Sequence, residues 1–300
     1  MELKGLKVAV TGATGFIGRY ICAELLQRGA HVIGVVRNPD RVPALLQQGV
    51  SMRKADLSDV ALLERGFDGA DAVISNAALF KIDNSNWQDH EQTNIQGGSN
   101  VLQAATAAGV TRVIVVSSCG VYADLGRSTP SETAKKFTGQ SRRNRINRYM
   151  ISKALAEQEA WEIAGRNGLN MTAVRPSAVY GAHDSNFMPR LRKAARMPLS
   201  LPSTGFSFVY AGDVAIGICD CLANDQTIGK AYNLAGDDRP LGDFIDALRD
   251  AYGIKARFRL PLPIPFRNTF DYSLAAREIG FSNRSFAEGL EDTRRLEGLD

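Results

Sequence analysis

Up to about residue 175, the chain alternates short apolar runs rich in β-branched residues with segments of helical period. Short apolar runs of this kind predict strands, and apolar residues recurring every three to four positions predict helices. Strands that alternate with helices form βαβ units with a parallel sheet buried on both faces, so residues 1–175 are expected to form a doubly wound α/β domain. Strands are predicted at 7–12, 31–36, 51–56, 71–76, 112–118 and 170–176, and helices at 16–28, 40–48, 58–66, 87–108 and 147–167.

The regular pattern breaks after Arg175, where Pro, Gly and Ser are scattered between the apolar runs. Strand-helix units are predicted at 206–223 and 231–252, and a last helix near 285–296. Such a region is typical of a smaller lobe packed beside the sheet, where a cleft can hold a substrate. We expect a substrate-binding lobe made mainly by residues 176–300, with some segments returning to the first domain.

Composition narrows the class of protein. The 300 residues are 44% hydrophobic and 23% charged, as in ordinary globular proteins. The net charge of +4 is mild and is not gathered in a tail, so no nucleic-acid partner is expected. No run approaches the length of about 18 apolar residues that a membrane span needs, and the charged start does not resemble a signal peptide. The expectation is a cytoplasmic protein without a membrane partner.

The four cysteines are Cys22, Cys119, Cys219 and Cys221. Their spacing matches neither a disulfide framework nor a pair of CxxC metal-binding units. We expect no metal site, and we expect three of the four to be plain core residues.

Three glycines stand at the turn from the first predicted strand into the first helix. In dinucleotide-binding βαβ units such glycines permit a tight turn, close approach of the backbone to a pyrophosphate, and close packing of helix on strand. The GxxGxxG spacing is weak evidence alone, but its position after the first strand predicts a dinucleotide site. The loop residues expected to contact the cofactor are Gly12, Thr14, Gly15, Phe16, Ile17 and Gly18.

The end of the second predicted strand bears on the choice of cofactor. A free ribose hydroxyl would call for a carboxylate there, whereas an adenosine 2′-phosphate would call for a cation. The chain has Arg37 and no carboxylate at this point. The sequence therefore favours NADP, with NAD as the alternative cofactor.

A candidate proton-transfer pair is Tyr149 and Lys153, which lie four residues apart on one face of a predicted helix. The ordinary pKa of tyrosine is about 10, so a phenol that works near neutrality needs its anion stabilised, and the lysine ammonium can supply the positive charge. The fifth predicted strand ends in VVSSCGVY, which brings Ser117 or Ser118 to the carboxyl edge of the sheet, where open α/β folds bind ligands. A hydroxyl at that edge can polarise a carbonyl.

Eight short segments recur along the chain in a fixed order: TGATGFIG (11–18), DL (56–57), NAA (76–78), NIxG (94–97), SSCGVY (117–122), YMISK (149–153), RPSAVYG (175–181) and FVYAGDVA (208–215). In this order, they resemble the extended short-chain dehydrogenase/reductases of the NAD(P)-dependent epimerase/dehydratase family. The resemblance implies a Rossmann-type fold and an enzyme in which Tyr149 is the acid/base and Lys153 binds the nicotinamide ribose. It selects Ser118 as the active serine, and it matches Asn94 to an asparagine that helps to hold a proton-relay water.

The same resemblance implies further cofactor contacts near the adenine, beneath the dinucleotide and at the nicotinamide end. The family usually has His at the position of Asn76, so this contact departs from its pattern. The implied residues are Asp56, Leu57, Asn76, Ala77, Ala78, Pro176, Ser177 and Val179.

Residues near the presumed substrate bear on the reaction. Nucleotide-sugar dehydratases place Asp-Glu beside the active serine, where this chain has Cys119 and Gly120, which argues against dehydration. Nucleotide-sugar members also carry an arginine near the position of Phe206, and Phe206 and Phe187 favour a more apolar substrate. Cys119 and His183 leave an epimerase as a second hypothesis, because a cysteine and a histidine shuttle protons in the GDP-fucose synthases. The YGPHDNF segment of those enzymes is similar to YGAHDSNF here.

The sequence thus predicts an NADP-dependent carbonyl reductase or secondary alcohol dehydrogenase for a small, partly apolar molecule. The alternatives are a nucleotide-sugar epimerase with transient oxidation and no net redox change, and a regulatory protein that senses the cofactor. As in related enzymes, the helices at 87–108 and 147–167 are expected to form a four-helix interface in a homodimer. The basic run at 141–148 is expected to be a solvated helix entry rather than an anion site.

Overall fold

The computed structural model describes residues 2–80, 86–126, 128–138, 148–196, 200–202, 205–236, 238–255, 260–262 and 267–299. The basic run predicted as a solvated helix entry lies outside the described residues except for Arg148. Among the helices that the structure describes, none combines the length and the apolar character that crossing a membrane requires.

The strands follow the chain in twelve short segments within the described residues. They are β1 (Lys7–Thr11), β2 (His31–Val36), β3 (Ser51–Lys54), β4 (Ala72–Ser75), β5 (Arg112–Val116), β6 (Asn170–Pro176), β7 (Ala178–Tyr180), β8 (Ser200–Pro202), β9 (Gly205–Tyr210), β10 (Ala231–Leu234), β11 (Asp238–Pro240) and β12 (Leu260–Leu262).

The helices alternate with these strands through the first half of the chain. They are α1 (Phe16–Gln27), α2 (Pro43–Gln47), α3 (Val60–Phe67), α4 (Trp87–His90), α5 (Gly97–Ala107), α6 (Arg148–Asn167), α7 (Met188–Ala195), α8 (Ala211–Ala223), α9 (Leu241–Ala251), α10 (Ser273–Ile279) and α11 (Phe286–Leu296). A π-helical turn, Glu91–Gln96, joins α4 to α5.

Seven parallel strands form the central sheet in the order β10-β6-β5-β4-β1-β2-β3. The chain builds outward from β1 to β3, then crosses to β4 on the other side of β1. This reversal of strand order leaves a crevice at the carboxyl ends of β1 and β4, where doubly wound sheets bind their ligands. The predicted Rossmann-type doubly wound α/β fold is confirmed.

Each face of the central sheet has its own apolar core, because neighbouring strand residues point to opposite faces. Val8 and Val10 pack on the side of α1 and α8, whereas Ala9 packs on the side of α3, α5 and α6. Burial on both faces explains why the strands read as continuous apolar runs rather than as alternating ones.

The chain after Arg175 contributes both to this sheet and to a separate structure. β10 extends the central sheet beside β6, and α8 packs on α1. β7, β9 and β11 form a second sheet in the order β11-β9-β7, and β8 pairs with β12. The division of the chain into 1–175 and 176–300 stays a prediction.

Two short helices were missing from the predicted pattern, α7 and α10. Met188 and Pro189 begin α7, and the Asp184 carboxylate accepts hydrogen bonds from the backbone N–H groups of Asn186, Phe187 and Met188 just before and at its start. Proline at the start of a helix and a capping carboxylate are both helix-initiating signals. They lie in an irregular, Pro-rich part of the sequence, where the apolar period is too short to reveal a helix.

Candidate active site

A cleft of about 1200 Å³ runs along the carboxyl edge of the central sheet. Loops after β1, β2 and β4 line one end, which we call the cofactor end. Loops after β5 and β6, together with the second sheet, line the other, which we call the substrate end. The site residues predicted from the sequence line this cleft, except for Gly18, Asn94 and Pro176. The structure therefore brings together segments that are up to about 190 residues apart in the chain, from Gly12 to Phe206.

The glycine loop brings the end of β1 against the loop after β4. Gly12 has a φ of +67°, in the left-handed region, and a Cβ built on it would lie 2.9 Å from the Ala77 Cα. A Cβ on Gly18 would lie 2.1 Å from the Gly12 carbonyl oxygen, so Gly18 serves helix packing away from the cleft. Both positions require the absence of a side chain, which is the physical role predicted for them.

Asn76, where the family usually has histidine, has a structural contact in this chain. Its side-chain amide donates to the Gly12 carbonyl at 3.4 Å, and its backbone N–H donates to Thr11 Oγ1 at 3.1 Å. The Ala77 backbone N–H donates to the same hydroxyl at 3.2 Å. Asn76 and Thr11 thus hold the two loops together beneath the space that a dinucleotide would fill.

The cofactor end of the cleft has the charge and the free donors that an anionic dinucleotide needs. α1 begins directly after Gly15 with no acidic residue in its first turn, so the positive end of its dipole is uncompensated. Arg37 is exposed at the end of β2, and Arg19, which the sequence analysis missed, also lines the cleft. Farther along the cleft, after β6, the buried Ser177 hydroxyl lacks a hydrogen-bond partner within the described residues.

The adenine-side residue Asp56 is already bonded within its own loop. Its carboxylate accepts hydrogen bonds from the Ser58 backbone N–H at 2.9 Å and the Ser58 hydroxyl at 2.7 Å. These bonds, and more weakly the positive charge of Arg37, lower the pKa of Asp56 below its usual value. Asp56 is therefore ionised at neutral pH and sits in the electrostatic field of Arg37.

Ser118, Tyr149 and Lys153 converge on the cleft from the turn after β5 and from the first turns of α6. The Ser118 hydroxyl accepts the Gly120 backbone N–H at 3.0 Å, and the Lys153 ammonium donates to the Val116 carbonyl at 2.6 Å. These bonds fix the serine and the lysine to the end of the same strand. Spacing predicted the pairing of Tyr149 with Lys153 and placed Ser117 or Ser118 near them, and the family resemblance selected Ser118.

Burial controls the protonation of the tyrosine and the lysine. It raises the pKa of Tyr149 to about 12, and a hydrogen bond with Ser118 opposes this rise. Burial lowers the pKa of Lys153 to about 8, while the negative charge of Glu157 opposes this decrease. At neutral pH the phenol therefore carries its proton and can act as a general acid.

Asn94 lies in the π-helical turn, outside the cleft, and its side chain is bonded to protein on both sides of its amide. Its carbonyl oxygen accepts the Leu79 backbone N–H at 2.7 Å. Its nitrogen donates to the Leu79 carbonyl at 3.2 Å and to Ser152 Oγ at 2.9 Å, and Ser152 in turn donates to the Tyr149 carbonyl at 2.7 Å. Asn94 thus links the loop after β4 to the helix that carries Tyr149. Its expected contact with a relay water stays a prediction.

Cys119 and His183, which supported the epimerase hypothesis, differ in their surroundings. Cys119 is 1% exposed, its thiol donates to the Arg175 carbonyl at 2.9 Å, and burial raises its pKa well above the usual value. Such a thiol stays protonated, which argues against a proton shuttle. His183 is exposed at the cleft, with a φ of +70°, and partial burial and the charge of Arg19 lower its pKa.

Several lining residues at the substrate end had no signal in the sequence. Phe80 lies edge-on to the Tyr149 ring, with a centroid distance of 4.9 Å. Phe270 and Asn268 come from a segment about 120 residues after Tyr149, so only the tertiary fold could reveal them. Arg19 could have been found, because it lies one turn into α1 on the side of the glycine loop. The missed lining residues include Arg19, Ser58, Phe80, Leu125, Met150, Asn268 and Phe270.

Comparison with known proteins identifies the family. The model of the NAD dependent epimerase/dehydratase family matches residues 8–235. Cinnamoyl-CoA reductase 1 from Petunia hybrida is 35% identical over 310 residues, which cover 97% of this chain and 89% of the relative.

Solved structures show the same fold. Yeast methylglyoxal/isovaleraldehyde reductase Gre2, complexed with NADPH, has a TM-score of 0.84 at 22% identity, with 98% of this chain and 100% of that chain covered. UDP-glucuronic acid 4-epimerase from Bacillus cereus, in complex with NAD, has a TM-score of 0.79 at 22% identity, with 98% and 99% covered. The chain belongs to the NAD dependent epimerase/dehydratase family, and it is an NAD(P)-dependent enzyme of the extended short-chain dehydrogenase/reductase type.

Proposed function

We propose that this enzyme is an NADPH-dependent carbonyl reductase acting on a small, partly apolar ketone or aldehyde. The observation that carries the proposal is the distribution of charge in the cleft. Among the described lining residues, the lysines and arginines are Arg19, Arg37 and Lys153. The two arginines lie with the glycine loop and β2, and the lysine is buried, with its ammonium bonded to the Val116 carbonyl. The described substrate end therefore offers no cation to a nucleoside diphosphate.

The same end of the cleft is apolar because a cluster of aromatic rings supports it. Phe187 and Phe206 line the cleft and pack on Phe208, with ring centroids 5.7 Å and 4.5 Å away. Phe208 itself is 2% exposed and stacks on Phe244 at 4.1 Å. Rings locked in this way form a preformed apolar wall, which suits an apolar substituent on the substrate.

The hydroxyls of Ser118 and Tyr149 and the ammonium of Lys153 also line the cleft, and together they suit the reduction of a carbonyl. Bound NADPH supplies the hydride. The Ser118 hydroxyl holds the carbonyl oxygen, and the protonated phenol of Tyr149 gives its proton to that oxygen as negative charge develops. Lys153, which the Val116 carbonyl holds at the cleft, would orient the nicotinamide ribose.

The glycine loop and the end of β2 support the cofactor assignment. The backbone of the loop and the start of α1 would hold the pyrophosphate, and the exposed Arg37 would pair with the 2′-phosphate that distinguishes NADP from NAD. Asp56 and Leu57 would flank the adenine, Asn76 to Ala78 would pass beneath the dinucleotide, and Ser177 and Val179 would face the nicotinamide.

The relatives agree with a reductase. The Petunia relative, which aligns along almost the whole chain, is a reductase by name. The Bacillus epimerase shares the fold at 22% identity, which carries no reaction over. The Cys119 thiol donates its hydrogen bond to the Arg175 carbonyl. This disfavours its use in the cysteine-histidine pair that an epimerase of the GDP-fucose synthase kind would need.

The test is a substrate panel. The enzyme is incubated with NADPH and a series of ketones and aldehydes of increasing apolar size, and the loss of NADPH absorbance is followed. In parallel, UDP-glucose and UDP-glucuronate are incubated without added NADPH and their configuration is analysed. Carbonyl-dependent oxidation of NADPH supports the proposal. Epimerisation of a nucleotide sugar without carbonyl reduction would replace it with the alternative.

The predicted homodimer and cytoplasmic location stay predictions. Exposed large apolar side chains in the described part of the chain are found at Leu46, Phe80, Leu296 and Leu299, and none of these lies on α5 or α6. On α6, the large apolar side chains Leu155 and Trp161 are partly exposed and would be available to a four-helix interface.

A further inference from the structure

A buried ion pair lies behind the catalytic helix. Glu157, one turn beyond Lys153 on α6, is 1% exposed, and so is Arg175 at the end of β6. The guanidinium holds the carboxylate with two hydrogen bonds, from Nε to Oε2 at 2.9 Å and from Nη2 to Oε1 at 2.6 Å. The Lys136 ammonium also contacts the carboxylate, with Nζ 3.1 Å from Glu157 Oε1. Burial alone would raise the pKa of Glu157, but Arg175 and Lys136 lower it to about 2, so the carboxylate stays ionised.

Hydrogen bonds continue from this pair to the substrate wall. Arg175 Nη1 donates to the Tyr122 hydroxyl at 2.8 Å, and that hydroxyl donates to Asn233 Oδ1 at 2.5 Å. The Asn233 amide donates to the Asp271 carbonyl at 2.8 Å. Phe270, next in the chain, lines the cleft and packs its ring 6.1 Å from that of Tyr122. An unbroken series of contacts thus joins the helix of Tyr149 and Lys153 to the wall opposite.

We propose that Glu157 and Arg175 are positioning residues of the active site. Through Arg175 and Tyr122 they fix the segment that carries Phe270, and through Glu157 they place a carboxylate on the face of α6 that presents Lys153. The inference rests on the proposed function for its kinetic readout. It assigns a role to two residues that touch neither the cleft nor a reacting atom.

Stability alone gives no reason for an ion pair at this place. Desolvation of two charges is costly, and apolar residues of similar volume often stabilise a core equally well. The pair contributes fixed geometry. Because the arginine binds Glu157 with two hydrogen bonds, it allows one relative placement of α6, β6 and the turn that carries Tyr122. The elements packed against α6 carry Asp89, His90, Glu91, Cys119 and Arg175, and the part of α6 around Lys153 carries Arg148, Tyr149 and Glu157. Of these, Glu157 is the one whose charge opposes the effect of burial on the Lys153 pKa.

The first experiment compares matched variants. Glu157→Gln and Arg175→Lys remove the charge and the bidentate geometry, respectively. Glu162→Gln is the same change on an exposed part of α6, and Arg112→Lys changes another buried arginine, which binds Asn170, Thr172, Cys221 and Thr227 at the opposite end of the sheet. NADPH affinity, kcat and KM for the best carbonyl substrate are measured between pH 6 and pH 10, well below each melting temperature.

We expect both network variants to lower kcat at least about tenfold while NADPH affinity changes less than about threefold. In Glu157→Gln the loss of activity at high pH should also begin at lower pH, because Lys153 loses the charge that raises its pKa. The two controls should keep the wild-type pH profile. An unchanged kcat and pH profile in Glu157→Gln, or an equal loss of kcat in Arg112→Lys, would overturn the proposal.

Amide hydrogen exchange tests the same proposal without a substrate. In Arg175→Lys, the amides of residues 267–273 should exchange at least about tenfold faster relative to those of β1, whereas Arg112→Lys should leave this ratio unchanged. An unchanged ratio in Arg175→Lys would refute the link to the substrate wall. Absence of carbonyl reduction by the wild-type enzyme would instead refute the proposed function, so the two failures are distinguishable.

Discussion

The two ends of the cleft are built in different ways. The cofactor end consists of short continuous segments, such as residues 12–17 after β1 and residues 76–78 after β4, each at the end of its own strand. The substrate end is assembled from side chains that are far apart in the chain, including Phe187, Phe206 and Phe270. Backbone geometry and charge dominate at the first end, and side-chain shape dominates at the second.

This difference explains which part of the function can be read from residues. A phosphate-binding loop needs particular backbone angles and no Cβ, so its requirements fall on adjacent glycines. An apolar wall needs only rings of suitable size in suitable places, which many sequences can supply. The family and cofactor class are therefore evident from the sequence, whereas the substrate is not.

The largest expected effect comes from Tyr149→Phe, at the junction of the two ends. Removing the phenol hydroxyl would delete the proposed proton donor, so turnover should fall at least about a hundredfold. NADPH affinity should stay within about threefold, because the aromatic ring and its edge-on contact with Phe80 remain. Single-turnover kinetics with NADPH and the best carbonyl substrate, together with a fluorescence titration of NADPH, measure both quantities.

A matched control for this change is Tyr252→Phe. Tyr252 lies outside the cleft, where its hydroxyl contacts Arg192 and Glu297, so the same loss of a hydroxyl should leave turnover within about twofold. Wild-type turnover in Tyr149→Phe would contradict the assignment of the acid. It would also remove the reason for placing the reaction at the junction of the two ends.

The sequence predicted the fold more completely than the site. Helix α1 was expected at 16–28 and is found at Phe16–Gln27, because its strand, turn and apolar period are all local. The helix expected at 87–108 is interrupted by a π-helical turn, which periodicity cannot show because it depends on the bonds between Asn94 and the loop after β4. Phe270 could not be predicted either, since its approach to the cleft depends on Tyr122 and Asn233.

The second effect concerns the cofactor end. Arg37→Asp replaces the exposed cation at the end of β2 with a carboxylate beside Asp56. We expect NADPH affinity to fall about tenfold to a hundredfold, the range of one charge-assisted hydrogen bond, while NADH affinity changes little. Titrations of both cofactors measure the ratio. Arg65→Asp, the same charge reversal on the exposed surface of α3, should leave that ratio unchanged.

Equal weakening of NADPH and NADH in Arg37→Asp would refute the 2′-phosphate role. It would also show that the charge at this end of the cleft acts as a diffuse field rather than through one contact. In that case the preference between the two cofactors would have to come from Arg19 or the loop of Asp56 and Ser58, which lie at the same end.

The smallest effect is expected at the substrate end, where no single ring carries the site. Phe206→Leu keeps an apolar side chain but shortens the wall, so KM for an apolar carbonyl substrate should rise about fivefold with kcat nearly unchanged. Phe286→Leu is the control, because Phe286 belongs to the same aromatic cluster but does not line the cleft. The KM of a substrate without an apolar group should not respond to Phe206→Leu. If both substrates responded equally, Phe206 would support the lobe rather than select the substrate, and the contrast between the two ends would rest on Phe187 and Phe270 alone.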